Sequence, residues 1–126
     1  MDDSLDLLYA AILAAWACDP GRSRTSKLFR DGMEKMARKL AEEAGEVGID
    51  ALLMRRQRVV LESADLLYNL AVLWAASGVT PDEVSQELDR REALYGIAEK
   101  LPKARKGAKA KPSKSRPRML RLPARA

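Results

Sequence analysis

Between about Gln57 and Ser77 the chain is apolar on nearly every side of a helix, yet one line of polar residues runs through it. Arg58, Glu62, Asp65 and Asn69 recur at spacings of four, three and four, which is a single seam at about 100° per residue. Leu61, Ala64, Leu66, Leu67, Leu70, Val72 and Leu73 bracket that seam. A helix apolar nearly all round belongs at the centre of a helical protein. Charge carried on it is costly unless it is paired or bound to a metal. This segment therefore demands a packed all-α fold and a positive partner for its acids.

A second helix, from about Met33 to Met54, supplies more acid. Met33, Met36, Leu40, Ala44, Val47 and Ala51 fall within one narrow arc and are expected to form its core face. Glu42, Glu43 and Glu46 lie with Lys39 on the flank of that arc. Lys or Arg four residues on is what usually stabilises an exposed helical acid. For Glu42, Glu43, Glu46, Glu62 and Asp65 the residues at that spacing are Glu46, Val47, Asp50, Leu66 and Asn69. Such a cluster repels itself unless something positive enters it. Hard divalent cations are held by clustered carboxylates, and Mg²⁺ usually arrives with substrate phosphates. The five acids therefore read as a Mg²⁺ site for a phosphorylated substrate.

The remaining elements are shorter. A first helix, capped by Asp3 or Ser4, is expected to run to about Ala17 and to end at Asp19-Pro20-Gly21. The polar connector from Arg22 to Lys27 is either a solvated loop or a phosphate-contacting segment. Gly78 stops the apolar helix. Thr80-Pro81-Asp82-Glu83 is a capping-box start for a last helix that runs to about Leu94. No strand-like alternation appears, so the expected fold is an all-α four-helix bundle.

Composition narrows the chemistry. The 126 residues suffice for one domain, and their 47% hydrophobic content for one core. The absence of histidine removes Ser-His and Cys-His catalysis and His-liganded zinc. Cys18 is the sole cysteine, which fits a reducing compartment and a small core residue. Met1 is followed by two Asp, unlike a signal peptide, and the Leu66–Ala76 apolar run is too short to span a bilayer. A cytoplasmic protein with no membrane association is expected. Charge is segregated: residues 1–99 carry 12 basic and 18 acidic groups, whereas Lys100 onward has 11 basic groups and no acid. A domain over 1–100 is thus followed by a Lys/Arg/Pro-rich tail over 101–126, expected to be disordered. The tail either solubilises the chain or makes weak contacts with polyanions such as nucleic acid.

Three segments carry a family resemblance. They are Ser23-x-Thr25-x-Lys27-Leu28-Phe29, then Lys39-x-x-Glu42-Glu43-Ala44-x-Glu46-Val47, then Glu62-x-Ala64-Asp65-Leu66-Leu67-Tyr68. Together they resemble phosphoribosyl-ATP pyrophosphohydrolases, all-α nucleotide pyrophosphohydrolases of the MazG type, whose shared pattern is Glu-Glu-x-x-Glu then Glu-x-x-Asp. Gly96-Ile97-x-Glu99-Lys100 looks like the family's ending. Arg24, Asn69 and Tyr95 stand where the family usually has Tyr, His and Ser, at positions where substrate contacts are expected.

The resemblance implies Mg²⁺-dependent hydrolysis of phosphoribosyl-ATP to phosphoribosyl-AMP and pyrophosphate, an early step of histidine biosynthesis. It implies Glu42, Glu43, Glu46, Glu62 and Asp65 as metal and catalytic residues. Lys39, Lys27, Thr25, Ser23, Arg30 and Lys100 are the phosphate-contact candidates, and Asn69 a substrate contact. Lys39 serves equally as a salt-bridge partner of Glu42 or Glu43. A homodimer that completes the bundle is implied too, in line with a third helix that needs more cover than one chain supplies. The alternatives are a related enzyme acting on other, noncanonical nucleoside triphosphates, and a non-enzymatic helical module with a nucleic-acid-binding tail.

Overall fold

A computed structural model describes residues 3–96. Lys100 and the tail over 101–126 lie outside the described residues. Five helices follow one another: α1 (Asp3–Ala15), α2 (Arg24–Asp31), α3 (Met33–Leu52), α4 (Arg56–Ser77) and α5 (Pro81–Tyr95). No strand occurs among the described residues. The described residues divide after Ser85 into a first unit, with α1 to α4 and the start of α5, and a second unit with the rest of α5.

Local chemistry sets the helix ends. Gly21 N–H donates to the Asp19 carboxylate at 3.0 Å, which closes the turn after α1. Gly78 adopts φ 74°, and Val79 N–H reaches back to Trp74 O at 2.9 Å, a left-handed cap suited to glycine. The capping box forms in both directions: Thr80 N–H donates to Glu83 Oε1 at 2.9 Å and Glu83 N–H to Thr80 Oγ1 at 3.2 Å.

The connector at 22–27 is not a loop. It opens α2, so the bundle has a fifth helix beyond the four expected. Ser23 caps it by accepting from Ser26 N–H at 3.1 Å. Ser26, buried, donates its hydroxyl to Cys18 O, and Phe29 packs against Trp16 with ring centroids 4.3 Å apart. These tertiary anchors outweigh the polar composition of Arg24 to Lys27.

The core of the first unit is formed by Ile12 of α1, Met36 of α3 and Ala71 and Val72 of α4. Leu8, Leu28, Phe29, Tyr68 and Leu73 pack around them. Burying Ile12 or Val72 contributes about 2 kcal/mol each. Tyr9 donates its hydroxyl to Val79 O at 2.7 Å and ties α1 to the end of α4.

The helices α3 and α4 form the longest contact, a hairpin closed by a short turn. Its seam keeps part of the face expected for α3, with Met36 buried and Leu40 and Val47 half-buried. The buried line is Met36, Glu43 and Asp50, spaced by seven. Met33, Ala44 and Ala51 of the expected apolar arc are exposed within one chain. On α4 the buried residues are Glu62, Asn69, Ala71 and Val72. One end of the hairpin seam is therefore apolar and the other charged.

Taken whole, α4 is 22 residues long and apolar enough by length and composition to cross a bilayer, which its Leu66–Ala76 stretch alone is not. Arg58, Glu62 and Asp65 on α4, and its packing along α3 and α1, fit the core helix of a bundle instead.

Candidate metal and phosphate site

The charged half of the α3/α4 seam gathers the acids. Ligand oxygens of Glu43, Glu62 and Asp65 all lie within 4.8 Å of one another. Glu43 is 9% exposed and Glu62 6%, whereas Asp65 opens to solvent. Glu43 comes from the middle of α3, and Glu62 and Asp65 lie one turn apart on α4, so the hairpin itself assembles the group.

Electrostatics show what this arrangement lacks. Burial, then a hydrogen-bonding contact with the Glu62 carboxyl, then the charge of Asp65 push Glu43 above the ordinary carboxylate range. Lys39 acts in the opposite direction. Glu46 is also pushed up, first by a contact with Glu62 and then by the charges of Glu43 and Glu62, with Glu42 adding a smaller effect. Glu43 Oε1 is buried without a hydrogen-bond partner among the described residues. A buried acceptor without a donor, among acids that hold their protons too tightly, fits a cation. An all-oxygen donor set suits a hard divalent ion such as Mg²⁺.

The acids are not all unpaired, and the Lys39 pairing held open above forms with Glu43. Two partners sit four residues before rather than after. Arg58 Nη2 lies 2.6 Å from Glu62 Oε2, and Lys39 Nζ lies 3.8 Å from Glu43 Oε2. Arg58 also reaches Asp50 from α3, Nε to Oδ2 at 4.0 Å. Asp50 is 6% exposed and takes a second contact from Arg55 at 3.7 Å. Asp50 and Arg58 were not among the expected site residues. The seven-residue step from Glu43 to Asp50, and a cation one turn before Glu62, are the signals that mark them.

The other candidates are distributed more widely. Glu42 and Glu46 are exposed on α3 beside the cluster. Thr25 and Tyr68 share a hydroxyl–hydroxyl hydrogen bond of 2.6 Å, one turn along α4 from Asp65, and the Arg24 guanidinium lies 5.8 Å from the Tyr68 ring centre. Asn69 is 4% exposed; its amide donates to Asp65 O at 2.9 Å, and its Oδ1 has no partner among the described residues. Ser23 is used as the α2 cap, and Lys27 pairs with Asp31 at 3.0 Å on its own helix. Arg30 lines a cleft of about 220 Å³ with Trp16, Cys18, Pro20, Ser26 and Phe29, and none of the five acids borders it. Cys18 is exposed rather than a core residue.

Fold and site define an all-α protein with a carboxylate cluster able to hold a divalent cation. Residues 5–92 match the family described as phosphoribosyl-ATP pyrophosphohydrolase. The chain is 60% identical over 116 residues to phosphoribosyl-ATP pyrophosphatase 2 of Rhodopseudomonas palustris, covering 92% of this chain and 88% of that one. It is 61% identical over 104 residues to phosphoribosyl-ATP pyrophosphatase 2 of Bradyrhizobium diazoefficiens, covering 82% and 78%. It is 51% identical over 96 residues to phosphoribosyl-ATP pyrophosphatase of Rhodospirillum rubrum, covering 76% and 82%. This chain belongs to the phosphoribosyl-ATP pyrophosphohydrolase family.

Proposed function

We propose that this protein hydrolyses phosphoribosyl-ATP to phosphoribosyl-AMP and pyrophosphate in a Mg²⁺-dependent reaction of histidine biosynthesis. The observation that carries the reading is the convergence of Glu43, Glu62 and Asp65 from two helices inside the segment that matches the family. Those three, with Glu46 and Glu42 alongside, would hold the ion. Bound Mg²⁺ supplies charge neutralisation at the phosphates and a water of lowered pKa.

The chain's own residues do the rest. Glu46, exposed beside the cluster, would accept the proton of the attacking water where it is not itself taken by the ion. Water oxygen bonds to phosphorus, the bond between the α and β phosphates breaks, and pyrophosphate leaves. Lys39 holds Glu43 toward the cluster and adds positive charge near the phosphates. The Thr25–Tyr68 clasp fixes α2 beside the α4 turn that carries Asp65, which brings Arg24 within reach of the same ligand. Asn69, with a buried acceptor still open, is the candidate for reading a substrate donor group.

A homodimer acting in the cytoplasm is part of the proposal, with residues 1–100 as the catalytic domain. Large apolar side chains around the α3–α4 turn support it: Leu52 is 84% exposed and Met54 88%, with Ile49, Leu53, Val60 and Leu61 nearby in sequence and also exposed. Single chains rarely leave this much apolar surface in water.

The test is pyrophosphate release by the full chain from phosphoribosyl-ATP with Mg²⁺. Release abolished by EDTA and by Glu62→Gln is expected. Release from ordinary or noncanonical nucleoside triphosphates but none from phosphoribosyl-ATP would overturn the substrate.

A further inference from the structure

Glu62 has two oxygens and more than one claimant. Arg58 holds Oε2 at 2.6 Å, while the Glu62 carboxyl also contacts Glu43 and Glu46. A bare Arg–Glu pair on one helix face, with the cation on the N-terminal side, is a weak interaction that solvent screens. Here the guanidinium, 56% exposed, has a second carboxylate beside it. Its Nε faces Oδ2 of Asp50, a carboxylate buried at the end of α3, at 4.0 Å. Asp50 is itself held, by Arg55 Nη1 at 3.7 Å and through its carbonyl, which accepts from Arg55 N–H at 2.9 Å. A planar guanidinium can span two carboxylates on two helices, which a lysine ammonium cannot do with the same geometry.

We propose that Asp50 and Arg58 form a positioning arm that fixes Glu62 as a one-oxygen ligand for the divalent cation. With Oε2 committed to Arg58, Oε1 would be the oxygen left to an ion. Asp50 keeps the arm in place from the opposite helix, so the two helices set the ligand's orientation jointly. The inference rests on the metal-dependent reading above and adds two positioning residues to it; neither is placed against the reacting atoms.

Mn²⁺ binding to the full chain, followed by the loss of the free-ion electron paramagnetic resonance signal, tests the arm without substrate. Arg58→Ala should weaken Mn²⁺ binding about tenfold, as losing a group that orients a ligand does. Arg58→Lys should weaken it nearly as much, because charge alone does not restore the fork. Asp50→Asn should act in the same direction, less strongly, and add nothing in an Arg58→Ala background. Circular dichroism melts identify any variant that fails to fold, and the lysine and asparagine variants keep the test alive if alanine does.

Tighter Mn²⁺ binding by Arg58→Ala would make Arg58 a counter-ion that the metal displaces, and would overturn the proposal. Unchanged Mn²⁺ binding with a higher KM for phosphoribosyl-ATP would make it a phosphate contact, and would overturn it as well. If the unaltered chain binds no Mn²⁺, the metal-dependent reading fails first. If that chain binds Mn²⁺ and releases pyrophosphate while Arg58→Lys binds as well as it does, only the arm fails.

Discussion

The two halves of the α3/α4 seam share one geometry and serve opposite ends. In the apolar half, Met36 packs with Ala71, Val72 and Ile12, and burial stabilises the fold. In the charged half, Glu43 and Glu62 are buried with Asp65 beside them, and like charges gather. Burial there pushes the Glu43 carboxyl above its ordinary range, away from the ionised state that a cation needs. The same helical hairpin thus provides the scaffold in one half and, at a cost in stability, a ligand-ready cluster in the other. Substitutions along a single seam should separate function from stability.

The largest expected effect is on Glu43. Glu43→Gln removes a buried charge and a ligand oxygen. Pyrophosphate release should fall about a thousandfold, or about 4 kcal/mol in the barrier. The melting temperature of the metal-free chain should rise, since an amide N–H can donate where two carboxyls now repel. A lowered melting temperature would show that Glu43 contributes to the fold as Met36 does. Met36→Ala is the mirror experiment. It should lower stability by about 3 kcal/mol in denaturant unfolding, with Mn²⁺ affinity unchanged at a temperature where the variant is folded. Loss of Mn²⁺ affinity in the folded variant would break the division between the halves.

Acidity gives a smaller contrast. Glu43 and Glu46 have folded pKa values raised above their unfolded ones. Stability from such groups is fully present below the unfolded value and is lost as pH rises through the folded one. Metal-free protein should therefore melt at a higher temperature just above pH 5 than at pH 7, and saturating Mg²⁺ should remove much of that difference. Glu87, beside Arg90 and Arg91, has its pKa lowered to about 2, so its contribution has the opposite sign. It is lost only as pH falls below the ordinary carboxylate range, outside the window compared.

The smallest effect compares the two helix ends. Met54 occupies at φ 58° the left-handed cap position that Gly78 occupies after α4. Gly78→Ala should destabilise by about 1 kcal/mol, and Met54→Gly should stabilise by up to about 1 kcal/mol. Responses of the same sign in thermal melts would show that the neighbouring contacts, not the backbone, decide these caps.

Sequence patterns made some of this legible and concealed the rest for physical reasons. Capping at Thr80 and Glu83, and the stop at Gly78, follow from local chemistry and needed no tertiary information. Acid spacing marked Glu42, Glu43, Glu46, Glu62 and Asp65 alike, and did not tell which of their oxygens meet, as those of Glu43, Glu62 and Asp65 do. The helix α2 was hidden because its anchors are distant: Ser26 on Cys18 and Phe29 on Trp16. Ser23 as a cap and Gly32 as a stop are the local traces of it. Two neighbouring stripes on α3 are both plausible core faces, and periodicity does not say which one α4 covers. The structure places Glu43 and Asp50 in the covered stripe and leaves Met33, Ala44 and Ala51 outside it. Spacing alone does not say that Arg58 turns to Glu62, since a cation that precedes a helical acid is the weaker arrangement.

The central claim is that a divalent cation belongs between α3 and α4. Crystals grown with Mn²⁺, measured for anomalous scattering, address it most directly. The account predicts a peak bounded by the carboxylates of Glu43, Glu62 and Asp65. A Mn²⁺-loaded chain whose only peak lies elsewhere, with those three carboxylates still packed against one another, would contradict it.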